Sequence, residues 1–153
     1  MLGMEVNPAS AAAIADQLEA MTRRQQQFER RLAEGLRVDG PGLAAMDHLM
    51  RSGSATPTEL ARQVQVSTAA MTLVLDRLEA AGHVAREPHP TDRRKVMVTP
   101  APESVRAAED LVAPLIGGVE DLVSGLSAAD RAVVAAFLAG MNGLYDEVLA
   151  SGG

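Results

Sequence analysis

Apolar residues recur three and four positions apart through most of this chain, and in one stretch that rhythm gives way to alternation. From Ala11 to Leu36, the positions Ile14, Leu18, Met21, Gln25, Phe28 and Leu32 alternate steps of four and three, which predicts a long helix with a seam on one face. Pro8 and Ser10 mark its start, and Gly35 lies near its end. Pro41 to Ser52 predicts a second helix on Leu43, Met46, Leu49 and Met50. Thr56, Pro57 and Glu59 spell a capping box with proline at the first helical position. The helix they open is two turns long, with Leu60, Ala61 and Val64 as its stripe. After Gln65 and Val66, Ser67 caps a fourth helix that runs to Gly82, buried on Met71, Val74, Leu75 and Leu78.

The rhythm then changes. His83 to Arg86 and Lys95 to Val98 read as two short strands, and Glu87 to Asp92 between them is turn-rich. Helical spacing resumes at Pro102 with Val105, Leu111, Leu115, Val119 and Leu122, interrupted by Pro114 and weakened by Gly117 and Gly118. A mid-helix proline is expected to kink or locally break this helix and could act as a hinge. Ser127 caps a last helix whose apolar positions, from Val133 to Val148, form a stripe too wide for a lone surface helix. The predicted fold is mainly α with a small β-hairpin wing: a winged helix-turn-helix flanked by N- and C-terminal dimerisation helices. Residues 1–153 form one domain by length, with dimerisation helices at 8–36 and 102–150 and the winged part at 40–100.

A capped helix pair followed by a hairpin is a layout that reads double-stranded DNA. Ser67, Thr68 and Thr72 put short hydroxyl groups near the start of the fourth helix, where a recognition helix meets base edges and phosphates. Ala69 and Ala70 on the same helix offer apolar contact to thymine methyls but cannot read guanine, and Leu73 is a further candidate contact beside them. Arg77 adds a cation further along. In the hairpin, Asp92 is followed by Arg93, Arg94 and Lys95. Three adjacent cations repel one another, an arrangement that makes sense when a phosphate backbone neutralises them. An arginine at a loop tip can also enter a narrow minor groove. The competing explanation for the loop is simple solvation, which the neighbouring helix pair disfavours.

Three strings carry a family resemblance: ELARQVQVS (Glu59 to Ser67), VLDRLEAAGHVARE (Val74 to Glu87) and PTDRRKVMVT (Pro90 to Thr99). Through them the chain resembles the MarR (multiple antibiotic resistance regulator) family of winged-helix transcription regulators over nearly its whole length. The family's acid-any-arginine wing signature falls on Asp92 and Arg94. The resemblance implies that Arg94 enters the minor groove with Asp92 helping to hold it. It also implies a homodimer with intertwined terminal helices and a pseudo-palindromic operator, usually acting as a repressor. A small anionic or phenolic effector is implied in a cleft between dimer and DNA-binding parts. Met21, Met46 and Leu111 are cleft candidates that pattern alone does not separate from core. Members often carry a polar or basic residue where this chain has Leu73, so direct base readout is thinner here.

Charge sharpens the picture. The net charge is −6, yet residues 51–99 hold seven cations against five acids, while residues 100–153 hold two against eight. Such a distribution steers DNA toward the hairpin. With no Cys, disulfides and thiol-based redox sensing are excluded. His48, His83 and His89 lack metal-ligand spacing, and no nucleophile or phosphate-loop motif points to an enzyme, so neither metal nor cofactor is expected. No signal peptide is read, and no apolar run is expected to be long enough to cross a bilayer, which gives a cytoplasmic location with no membrane partner. The alternative function is a winged-helix module for protein contacts with little specific DNA binding.

Overall fold

The computed structural model describes residues 10–152; Pro8, and with it the start of the predicted 8–36 helix, lies outside the described residues. The order is α1 (Ala11–Leu36), α2 (Gly40–Ser52), α3 (Pro57–Val64), α4 (Thr68–Ala80), β1 (Val84–Pro88), β2 (Val96–Pro100), α5 (Pro102–Ser124) and α6 (Ala128–Ser151). A first compact unit ends at Leu111 and a second begins at Val112.

Local chemistry sets most boundaries. The Oγ of Ser10 accepts from the Ala13 amide at 3.1 Å to cap α1, and Asp39 Oδ1 accepts from the Gly42 amide at 2.8 Å to cap α2. The Thr56–Glu59 capping box is complete: the Glu59 carboxylate accepts from the Thr56 amide at 2.7 Å, and the Glu59 amide donates to Thr56 Oγ1. Gly82 ends α4 in the left-handed region at φ 78°, with the His83 amide donating back to the Leu78 carbonyl at 2.8 Å. Gln65 holds φ 59° at the α3–α4 turn, where no glycine signalled a left-handed residue.

The core of the first unit gathers Ala45, Met46 and Leu49 from α2, Leu60 and Ala61 from α3, and Met71, Val74, Leu75 and Leu78 from α4. Val84 and Val98 close it from the hairpin. All the α3 and α4 stripe positions expected from the sequence are in that core except Val64, which packs half-buried against it.

Four local expectations change. The strands are longer and shifted: β1 and β2 pair antiparallel from Val84 opposite Pro100 to Pro88 opposite Val96. Pro88, expected in the turn, sits at a strand end where the missing N–H costs no interior ladder bond. A third backbone segment joins the hairpin, because Ala55 exchanges two hydrogen bonds with Val98, at 3.0 and 2.8 Å. Pro114 lies inside an uninterrupted α5, so the expected break is absent; proline removes one amide while the flanking turns keep theirs. The buried positions of α5 are Ser104 and Ala108, not the larger apolar residues. Ser104 is held there by its bonds to the His83 ring and the Gly82 carbonyl.

The last correction concerns α6. Its 24 residues, with a mean hydropathy of 1.3 over its most apolar window, are long and apolar enough to cross a membrane, contrary to the sequence expectation. Asp130 and Arg131 near its start and Asp146 and Glu147 near its end disguise that stretch in the linear sequence. None of its residues is buried.

Candidate nucleic-acid interface

Two structural pieces bear the residues singled out by the sequence. The first is the N-terminal half of α4. Ser67, Thr68, Ala69, Thr72 and Leu73 are exposed there, and Ala70 is half-buried. Ser67 Oγ accepts from the Ala70 amide at 3.1 Å, which leaves the hydroxyl proton free to donate outward. Thr72 Oγ1 donates to the Thr68 carbonyl at 3.0 Å, which leaves its oxygen free to accept. The first amides of a helix lack intrahelical partners and carry the positive end of its dipole, so this end suits a phosphate oxygen. Leu73, 61% exposed, is a large apolar group held out beside them.

Arg77 differs from the rest of that helix. Its guanidinium pairs with Asp39 Oδ2 at 2.5 Å, while the other oxygen of Asp39 caps α2. Arg77 therefore ties α4 to the start of α2.

The second piece is the loop joining β1 to β2. Arg93, Arg94 and Lys95 are exposed, and none makes an ion pair among the described residues. Asp92 is half-buried, and its Oδ1 accepts the backbone N–H of Arg94 at 3.0 Å. Asp92 thus holds the arginine through its amide and leaves the guanidinium free. The Lys95 amide donates to the Asp92 carbonyl at 2.9 Å.

Arg86, which the sequence reading left without a role, fastens the two pieces together. From β1 it donates to Asp76 Oδ1 at 2.7 Å and to Glu79 Oε2 at 2.6 Å, both on α4. The bond to Asp76 raises its pKa above the ordinary guanidinium value, with burial opposing and Glu79 reinforcing. The signal in the sequence was the pair of acids three apart on the solvent side of α4, facing a strand arginine. On α3, the bonds from the Thr56 amide and hydroxyl lower the Glu59 pKa, and the charges of Arg62 and Lys95 add to that.

A groove of about 880 Å³ runs along α1 and α2, lined in part by Gln25, Glu29, Arg30, Leu32, Val38 and Leu43. None of Met21, Met46 and Leu111 lines it. Met46 is core, Met21 is exposed, and Leu111 rests against Gly35. No cluster of metal-ligating side chains occurs among the described residues.

This arrangement has counterparts among known proteins. The family model described as "MarR family" matches residues 42–96, which span α2 through the start of β2. An uncharacterised HTH-type transcriptional regulator of Bacillus subtilis, YcgE, is 32% identical over 122 residues, covering 80% of this chain and 79% of that protein. The chain belongs to the MarR family. Its members are transcription regulators, not enzymes. Among solved structures, Streptococcus pneumoniae FabT in complex with DNA superposes with a TM-score of 0.72 at 18% identity, covering 91% of this chain and 99% of that one. NadR in complex with 4-hydroxyphenylacetate matches with a TM-score of 0.59 at 20% identity, covering 90% and 97%. At these identities the two structures establish the shared winged-helix fold.

Proposed function

We propose that this MarR-family regulator binds a pseudo-palindromic operator as a homodimer and represses transcription until a small effector releases it. The observation that carries the reading is the pairing of an exposed, Ser67-capped helix N-terminus with a loop of three cations that make no ion pair among the described residues, the two pieces being fastened by Arg86. The start of α4 enters the major groove. Ser67, Thr68 and Thr72 meet phosphates and base edges, and Ala69, Ala70 and Leu73 meet thymine methyls. Arg93 and Lys95 neutralise phosphates while Arg94 enters the minor groove. FabT, which shares the fold, forms a complex with DNA, and that supports this reading. Arg77 contributes through Asp39, by fixing α4 against α2.

The dimer reading rests on apolar surface without a partner. On α6, Val133, Leu144, Tyr145, Val148 and Leu149 are each more than half exposed, and α1 keeps Ile14 and Met21 exposed. Exposed apolar faces of this kind mark contact sites. A second copy of the chain is a better occupant than a bilayer, since the chain belongs to a family of transcription regulators. Two half-sites would then lie about 34 Å apart, one DNA turn. The effector is a small anionic or phenolic molecule, the chemistry seen in NadR, and the groove along α1 and α2, with Arg30, Arg37 and Arg51 in its lining, supplies cations for it. Such a regulator works in the cytoplasm, where its operator is.

Selection of duplexes by the purified protein from a pool of its genomic DNA tests this reading. The expected result is enrichment of an inverted repeat with half-sites one turn apart. Failure to enrich any sequence, together with retention of a protein from the same extract, would instead favour the protein-contact module.

A further inference from the structure

The loop that presents the three cations has few ordinary means of holding its shape. Pro90 has no N–H, so the first amides available after His89 are those of Thr91 and Asp92. Both donate to one atom, His89 Nδ1, at 3.2 Å each, and the Thr91 hydroxyl lies 3.3 Å from the same nitrogen. The His89 amide in turn donates to the Lys95 carbonyl at 3.0 Å, closing the loop. Asp92 serves the far half, through Arg94 and Lys95. Two side chains, His89 and Asp92, thus accept from the amides of Thr91, Asp92 and Arg94 in the loop that carries the three cations, while the Asp92 carbonyl takes the Lys95 amide.

An imidazole nitrogen accepts hydrogen bonds only when it carries no proton. The bonds therefore require a neutral ring with its hydrogen on Nε2. We propose that His89 is the positioning residue of the wing: its neutral imidazole caps the loop that presents Arg94, and protonation removes the cap and makes selective DNA binding sensitive to pH. This rests on the DNA-reading function proposed above.

Charged groups on the loop and on the elements beside it work in both directions. Asp92, Arg93, Arg94 and Lys95 share the loop, Glu87 lies on β1, and Glu59 and Arg62 stand on α3, where Glu59 feels the charge of Lys95. A protonated His89 would add a cation to a cluster that already attracts DNA of any sequence. Selectivity, the ratio of affinities for operator and scrambled duplex, is therefore the informative readout, not affinity alone.

The test has two arms, each on the full-length protein. In the first, without DNA, the amide NMR signals of Thr91 and Asp92 are followed from about pH 8 to about pH 5.5, the range in which histidines serve as switches. They should move together with the ring signals of His89 in the wild type and stay still in His89→Asn, whose amide oxygen can accept from the same backbone without titrating. Comparison with the variant separates His89 from His48 and His83, which both proteins share. In the second arm, selectivity should fall about tenfold with acidification in the wild type, the loss expected for one to two hydrogen bonds. It should stay flat in His89→Asn and be low at every pH in His89→Ala. Amides of Thr91 and Asp92 that ignore the titration of His89, or His89→Ala selectivity equal to wild type, would overturn the proposal. A wild type that selects no duplex while its two amides do titrate would overturn the DNA reading and leave the cap standing.

Discussion

The winged core and the last helix are built from the same kinds of residue, at the same spacing, with opposite fates. Met46, Leu49, Leu60, Met71, Leu75 and Val98 are all less than 2% exposed, whereas no residue of α6 is buried and Leu149 is 76% exposed. Helical periodicity states that a face is apolar. It does not state what covers that face. In the winged core, short helices and a hairpin supply mutual cover within one chain. For α6 the cover we propose is a second copy, so its contribution to stability depends on protein concentration.

The largest effect should come from the self-covered side. Leu75→Ala empties a fully buried site and should cost about 2–5 kcal/mol, read as a drop in the urea midpoint that does not change with protein concentration. On α6, Leu138→Asp should leave the winged core folded and shift the chain to monomer. A loss of about 2 kcal/mol in dimerisation is expected from removing one central apolar contact, read by sedimentation across a dilution series. If both variants behaved alike in dilution, the distinction between the two regions would fail.

Arg86 sharpens the comparison from within the core side, because it holds the wing by charge instead of apolar cover. Arg86→Met would leave Asp76 and Glu79 facing each other without their shared cation. A cost of about 1–2 kcal/mol is expected, reduced from the value for a buried pair because both acids are largely solvated. Weaker DNA binding should accompany it. The smallest effect is at α3, where Thr56→Ala should cost about 1 kcal/mol through the lost cap. It also has a pH signature. Glu59 has a lowered pKa when folded, so its contribution is present at neutral pH and is lost as pH falls through and below the ordinary carboxylate range. Thr56→Ala should shrink that acid limb only in part, because the backbone amide at position 56 still donates to Glu59, whereas Glu59→Gln should remove it in urea titrations at neutral and low pH.

Much of the fold was legible because its signals are local. Caps at Ser10, Thr56, Ser67 and Ser127, and Gly82 as a stop, each rest on a few adjacent residues and on one or two hydrogen bonds. What the sequence hid was pairing at a distance. Nothing adjacent to Ala55 announces its bridge to Val98, nothing next to Arg77 announces Asp39, and the bonds of Arg86 to Asp76 and Glu79 appear only once the hairpin folds back on α4. Ser104, a polar residue in an apolar-looking helix, was overlooked for the same reason: its partners lie about the α4–β1 turn. The candidate DNA-facing residues were nameable from composition and spacing. How Asp92 and His89 hold them was not, because both act through backbone amides, which a sequence does not display.

The central claim is that the start of α4 and the cations of the wing form one DNA-reading surface. Its most direct test is the salt dependence of binding to a selected operator duplex, for wild type and for Arg94→Ala. Wild-type affinity should fall steeply and linearly on logarithmic axes, and Arg94→Ala should bind about 10–100-fold more weakly with reduced discrimination against a scrambled duplex. An affinity indifferent to salt, or an Arg94→Ala variant as tight and selective as wild type, would contradict the claim.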